Sequence, residues 1–207
     1  MIKPDLSRAD LDGAVALYGG AFDPFHLGHV SVIRHLRTIL GFRTVLVVPS
    51  GDRPDKEVSS SAHDRITMTR LGVQECFRDD DNILISDVHI SGELGYGTID
   101  VIRFFESQYA KKLYVIIGSE LVRDLPSWKE QNALKKEARF LVIPRPGSER
   151  IEHLDGGWNI SVAEPLNKEG MCISSTEVRA MCSSSHDISA VVPVSVADYI
   201  SRNKLYR

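Results

Sequence analysis

Ala14-Val15-Ala16-Leu17-Tyr18-Gly19-Gly20-Ala21-Phe22-Asp23-Pro24-Phe25-His26-Leu27-Gly28-His29 runs from an apolar segment into two glycines, a turn-forming Phe-Asp-Pro and a helical pattern. Residues 14–18 read as a buried strand, and Val30, Ile33, Leu36 and Leu40 follow at helical spacing. Gly19 and Gly20 let a phosphate approach the main chain with no Cβ in the way. A helix N-terminus beyond the strand offers unpaired N–H groups and the positive end of a dipole. His26 and His29, three apart, fall on one face of the first helical turn, where two imidazoles can donate to phosphate oxygens. Gly28 between them keeps room for the ligand. Such an array suits phosphoryl or nucleotidyl transfer, in which the protein positions groups and stabilises developing charge. The plain alternative is a tight turn and helix cap with two surface or metal-binding histidines. It would serve for an isolated His-x-x-His, but it describes the whole string after a strand less well.

Outward from this unit, short β-rich runs alternate with helical patterns. Further strands are expected at 44–48, 83–87, 113–117 and 139–143, with a weaker run at 158–162. Several are apolar on both faces, as a parallel sheet covered by helices on both sides requires. Ile66, Leu71 and Val73, then Ile99, Ile102 and Phe105, give two more helical faces. Another helix is expected from Ser127, with Pro126 before it and Trp128-Lys129-Glu130 in its first turn. The alternation predicts an α/β fold with a doubly wound, Rossmann-like parallel sheet. Ligands of such sheets lie beyond the carboxyl ends of the strands. Residues 50–62 and 145–148 read as loops. From about residue 170 the chain turns helical, so 1–207 is expected to be a single domain with 170–207 as a small C-terminal helical lobe.

The composition fits one domain: 207 residues, 43% of them hydrophobic. A formal net charge of -3 gives no global attraction to nucleic acid or an anionic membrane, so phosphate chemistry must come from local donors. No apolar stretch approaches the roughly 20 residues that span a bilayer. The first residues, Met1-Ile2-Lys3-Pro4-Asp5-Leu6-Ser7, lack the apolar core of a secretory signal. Cys76, Cys172 and Cys182 fit neither a disulfide framework nor a zinc site, and read as reduced thiols of a cytoplasmic protein. Small-molecule partners are expected, with no nucleic acid and no membrane; a homo-oligomer stays open.

A second anion site is written in Ile173-Ser174-Ser175-Thr176-Glu177-Val178-Arg179. Ser174 with Glu177 three residues on is a capping box. Capping leaves Arg179 unexplained, because its charge lies near the positive end of that helix. Ser175 and Arg179, four apart, share a face. Hydroxyls, unpaired N–H groups and a guanidinium at one helix start suit a polyphosphate.

His26-Leu27-Gly28-His29 resembles the H-x-G-H signature of the nucleotidyltransferase superfamily, and the longer string from Gly19 to His29 is similar to that of nicotinate-mononucleotide adenylyltransferases. Ile173 to Arg179 resembles the I-S-S-T-x-x-R motif of the same family, and the two motifs stand in the family's order. Weaker likenesses extend the match from Ala14 to Tyr206. The resemblance implies an ATP site made by Gly19, Gly20, Ala21, Phe22, Gly28, Lys56, Gly118, Glu120, Ile173, Ser174, Ser175 and Thr176. It implies a mononucleotide site at Asp23, Lys56, Thr98 and Trp128. His26, His29 and Arg179 become the catalytic residues. Arg65 falls at a familiar position after the Lys56 loop, where a helix-stabilising ion pair would explain it equally well. Thr98 is equally well explained as a helix N-cap, and residues 191–206 read as a structural closing segment. Four positions depart from the pattern: Ala21 for Thr, Asp55 for His, Gly97 where Tyr is usual, and Glu120 for Asp.

The implied reaction is adenylyl transfer from ATP to nicotinate mononucleotide in NAD biosynthesis, with nicotinate adenine dinucleotide and pyrophosphate as products. Mg²⁺ is expected to arrive on the triphosphate, since no carboxylate cluster forms a dedicated cage. Three alternatives stay open: a preference for nicotinamide mononucleotide, another superfamily transferase, and an adenine-nucleotide sensor that has lost catalysis.

Overall fold

Strands that are apolar on both faces need cover on both sides, and the chain supplies it. In the computed structural model the parallel strands are β1 (Val15–Gly20), β2 (Thr44–Pro49), β3 (Ile83–Ile85), β4 (Leu113–Gly118), β5 (Phe140–Ile143) and β6 (Ile160–Val162). They form one six-stranded sheet in the order β3-β2-β1-β4-β5-β6. The structure describes residues 11, 13–52, 58–92, 94–109, 111–144, 156–166 and 173–207. Each expected strand is present, with ends shifted by a few residues. The winding reverses between β1 and β4, which pair with Tyr18 opposite Ile116. A crevice therefore opens where Gly20 and Gly118 leave the sheet.

The helices are α1 (Leu27–Thr38), α2 (Ala62–Cys76), α3 (Thr98–Tyr109), α4 (Gln131–Glu137), α5 (Ser175–Ser183) and α6 (Val194–Arg202), with a 3-10 helix at Ser119–Ser127. Alternation along β1 divides the interior, since successive side chains point to opposite faces. Ala16 joins Val45, Val47, Ile33, Leu36 and Met68 on one face. Val15 and Leu17 join Leu46, Ile99, Ile102, Phe105 and Leu134 on the other. The helical pattern after residue 170 is present as α5 and α6, which send Val178, Val196 and Ile200 into the core shared by α1 and α2. No helix of the described residues is long and apolar enough to cross a membrane.

Two local expectations are corrected. The helix expected from Ser127 starts at Gln131, and Pro126 lies inside the preceding 3-10 helix. The Ser127 hydroxyl donates back to the Asp124 carbonyl at 2.7 Å, closing the turn behind it instead of capping one ahead. Thr98 is the first residue of α3 and not its cap. The Gly97 carbonyl accepts from the N–H groups of Asp100 and Val101 at 3.1 and 3.4 Å.

Helix α6 is fixed to α2 from both ends of a carboxylate ladder. Tyr199 donates to Asp64 at 2.9 Å. Glu75, in the last turn of α2, accepts from the N–H groups of Val194 and Ser195 at 3.0 and 2.8 Å, capping α6 from outside its own segment. Burial raises the Glu75 carboxyl pKa, but hydrogen bonds from Ser195 and the Val194 N–H outweigh it and hold the group below the ordinary glutamate range. A depressed folded value stabilises the fold above the unfolded pKa, and that stability fades as pH falls through the folded one. Glu75→Ala should cost about 1 kcal/mol, or about 2–4 °C in melting temperature near neutrality. The difference from wild type should close below the glutamate range of about pH 4. Equal melting temperatures at pH 7 would show that Glu75 does not cap α6.

Candidate active site

The turn from β1 into α1 is held by its own imidazoles. His26 is the N-cap of α1, 2% exposed, and its Nδ1 accepts from the Gly28 N–H at 3.1 Å. The His26 N–H donates in return to His29 Nδ1 at 3.1 Å. A nitrogen that accepts an N–H carries no proton, so each ring holds its proton on Nε2. The rings stack with centroids 3.7 Å apart and planes at 26°. Phe22 meets His29 edge-on at 4.8 Å, and Phe25 stacks on it at 5.4 Å. Phe22 has φ of 52°, a left-handed conformation rare for a bulky side chain. Its ring folds back so that a Cβ on Gly20 would stand 3.1 Å away.

The geometry corrects two expectations here. The α1 start offers no unpaired amides in its first three positions: Leu27 N–H donates to Val191, Gly28 to the His26 ring and His29 to the His26 carbonyl. What α1 presents is its imidazoles and its dipole. Gly28, expected to keep room for a ligand, keeps room for protein. A Cβ there would lie 2.9 Å from His26 Nδ1 and 3.1 Å from the Ile173 carbonyl.

That carbonyl belongs to the second motif, which docks directly on the first. Ser174 is the N-cap of α5 and forms the expected capping box with Glu177, so its hydroxyl is engaged within the helix end. Ser175 Oγ donates to the Pro24 carbonyl at 3.0 Å. Arg179 donates from Nη1 to the Asp23 carbonyl at 2.8 Å and from Nη2 to Thr176 Oγ1 at 3.3 Å. This contact accounts for a cation near the positive end of α5. Among the described residues the N–H groups of Ser175 and Thr176 meet no protein acceptor. Two helix starts thus converge on one short segment at the end of β1.

Asp23, joined to Pro24 by a cis peptide bond, is 3% exposed. Its carboxylate is turned inward. Oδ2 accepts from the Ser59 N–H at 2.7 Å, and Oδ1 accepts from the hydroxyls of Ser60 at 2.5 Å and Tyr206 at 2.6 Å. Burial, and then the Asp23 carboxylate, push the Tyr206 phenol pKa far up, so Tyr206 stays a donor. Arg65 is fully buried and reaches both sides of the loop that Ser59 and Ser60 close. It donates to the Ser50 carbonyl at 2.7 Å, to Asp52 Oδ1 at 2.7 Å and to the Ser60 carbonyl at 3.4 Å. Lys56 and Asp55, expected near this site, lie outside the described residues.

Across the crevice, Gly118 ends β4, and the Glu120 carboxylate lies where a Cβ on Gly118 would stand. Trp128 is partly buried and meets Phe140 edge-on at 6.1 Å. Its neighbour Lys129 pairs with Asp100 at 3.1 Å, which draws the segments carrying Trp128 and Thr98 together. Gly95 and Gly97 permit this approach, since a Cβ on either would meet Asp100 Oδ2 at 3.0 or 2.8 Å. No cluster of three or more His, Cys, Asp or Glu side chains suited to a metal occurs among the described residues. For Arg65 the structure shows the ion-pair alternative, made with Asp52 across the loop rather than along its own helix. Tyr206, read only as part of a structural closing segment, reaches Asp23, a contact that no local signal marks.

A model of the cytidylyltransferase-like family matches residues 17–181. A probable nicotinate-nucleotide adenylyltransferase of Caldicellulosiruptor bescii is 30% identical over 199 residues, covering 93% of this chain and 98% of that protein. One of Roseiflexus castenholzii is 30% identical over 201 residues, covering 94% and 98%. Among solved structures, the Plasmodium falciparum nicotinic acid mononucleotide adenylyltransferase complexed with NaAD superposes with a TM-score of 0.79 at 24% identity. It covers 93% of this chain and 97% of that one. The same enzyme complexed with APC gives 0.76 at 22% identity, covering 94% and 97%.

Gly28→Ala tests the join between the motifs. Its Cβ must displace either the His26 ring or the Ile173 carbonyl, and a shift of about 1 Å in such a site can cost about 100-fold in rate. Assays of pyrophosphate release from ATP with nicotinate mononucleotide, run well below the melting temperature of the variant, should show a loss of that order. Activity within three-fold of wild type would mean that the contact does not set the geometry.

Proposed function

The chain belongs to the cytidylyltransferase-like family and, within it, to the nicotinate-nucleotide adenylyltransferases, and from that premise we propose adenylyl transfer to nicotinate mononucleotide in NAD biosynthesis. An oxygen of the mononucleotide's 5′-phosphate attacks the α-phosphorus of ATP in line. The new O–P bond forms as the bond to the bridging oxygen breaks, and pyrophosphate leaves with the electron pair. The attacking oxygen is already anionic, so no protein nucleophile or base is needed. The products are nicotinate adenine dinucleotide and pyrophosphate.

The observation that carries this reading is the docking of α5 on the Asp23–Pro24 segment beside the two imidazoles. Nε2–H of His26 and His29 stabilises charge on the non-bridging α-phosphate oxygens. Arg179, with the Ser175 and Thr176 N–H groups at the positive end of α5, holds the β- and γ-phosphates and the departing pyrophosphate. Ser174 contributes by fixing that helix end, and Ile173 by its carbonyl contact beside Gly28. Gly19, Gly20, Ala21 and Phe22 form the floor under the nucleotide, with Gly118 and Glu120 on the ribose side. Thr98 and Trp128 flank the pyridine. Lys56 is assigned to the phosphates, and Asp23 supports the mononucleotide side by holding Ser59 and Ser60 ahead of α2. Mg²⁺ enters with ATP as part of the substrate, carried on the triphosphate with much of its water retained. A cytoplasmic location agrees with this substrate pair.

Removing one such donor typically costs roughly 100- to 1,000-fold in turnover, and His29→Ala should lose that much pyrophosphate release. A loss of only a few-fold would refute the assignment. With the wild-type protein, kcat/KM should be higher for nicotinate than for nicotinamide mononucleotide, and the reverse order would make the amide the substrate. Calorimetric ATP binding without turnover on any acceptor would instead identify a sensor.

A further inference from the structure

We propose that Tyr206 is a positioning residue of the nucleotide site, its hydroxyl holding the Asp23 carboxylate so that the Asp23–Pro24 segment presents its carbonyls to Arg179 and Ser175. The hydroxyl lies 2.6 Å from Asp23 Oδ1 and 3.2 Å from Ser60 Oγ. On the other side of the same residue, the Asp23 carbonyl accepts from Arg179 at 2.8 Å. Tyr206 and Arg179 therefore grip one residue from its two polar ends. Ser60 shares Asp23 Oδ1 and, through its carbonyl, meets buried Arg65, which ties the loop ends to the same cluster.

The backbone on both sides of the contact supports a geometric role. Tyr206 has φ of 61° and Phe22, next to Asp23, has φ of 52°. Non-glycine residues in this region are strained and persist where the surroundings over-determine them. Lys204, at φ of 54°, bends the segment after α6 in the same way. Without the hydroxyl, Asp23 Oδ1, on a residue only 3% exposed, keeps only the Ser60 donor. A buried carboxylate short of a donor reorients to recover one, and its own carbonyl, the acceptor for Arg179, moves with it.

The inference rests on the reading that Arg179 holds the ATP phosphates, so the test reads ATP binding and turnover separately. Calorimetric affinities for MgATP are compared for wild type, Tyr206→Phe, Arg179→Ala and the double variant. Phenylalanine keeps the ring and removes only the hydroxyl. Each single change should weaken binding about 10-fold, and the double variant should bind no more weakly than Arg179→Ala alone, because coupled groups are non-additive. Ile200→Val loosens the packing of α6 without touching Asp23, and its affinity should stay at the wild-type value. The proposal is overturned by Tyr206→Phe binding within two-fold of wild type, by multiplicative losses, or by an equal loss in Ile200→Val. Wild-type ATP binding with no adenylyl transfer to any mononucleotide would sink the proposed reaction and leave the cycle readable. Normal transfer with multiplicative losses would sink only the role of Tyr206.

Discussion

A carboxylate removed from water must be met by donors or it destabilises the fold by several kcal/mol. Asp23 is such a group, and the donors its carboxylate recruits come from two places far apart in sequence. Ser59 and Ser60 bring the start of α2, and Tyr206 brings the segment after α6. On the main-chain side, Asp23 and Pro24 accept from Arg179 and Ser175 of α5. One residue in the turn after β1 thereby joins the starts of α2 and α5 to the segment after α6.

The sheet supplies the frame. Parallel strands wound in opposite directions from β1 and β4 leave a gap at their carboxyl ends, and two glycines, Gly20 and Gly118, add no side chain of their own there. Each glycine is pressed by a neighbour's side chain, Phe22 on Gly20 and Glu120 on Gly118. Gly28 likewise lets the imidazole of His26 and the Ile173 carbonyl share one space. Gly20 and Gly28 tie together the glycine turn, the histidine pair and the α5 start, while Gly118 makes room for Glu120 across the crevice, so under the proposed function a polyphosphate meets a site already assembled. Preorganised donors of this kind need no rearrangement as charge develops.

The central strands were legible because burial on both faces leaves uninterrupted apolar runs, whereas the short β6, Ile160-Ser161-Val162, is broken by a serine and gave only a weak signal. The two motifs were legible because each packs its chemistry into a few consecutive residues at a helix start. What lay beyond reading was how those helix starts use their own donors. The first amides of α1 and the hydroxyl of Ser174 are engaged within the protein, a result of side-chain orientation that spacing alone does not set. The helix start after Ser127 was misplaced because a serine next to proline can cap forward or close the turn behind it, and here it closes. The contact of Tyr206 with Asp23 was beyond reach for a different reason: it joins the two ends of the chain and is fixed by tertiary packing.

The central claim is a single in-line transfer at the α-phosphorus with no covalent enzyme intermediate. Its stereochemical course tests that claim directly. One diastereomer of the α-thio analogue of ATP is incubated with nicotinate mononucleotide and the dinucleotide product is analysed at phosphorus. Inversion of configuration is predicted, as one displacement requires. Retention would require two displacements through an adenylylated residue, and would contradict the account.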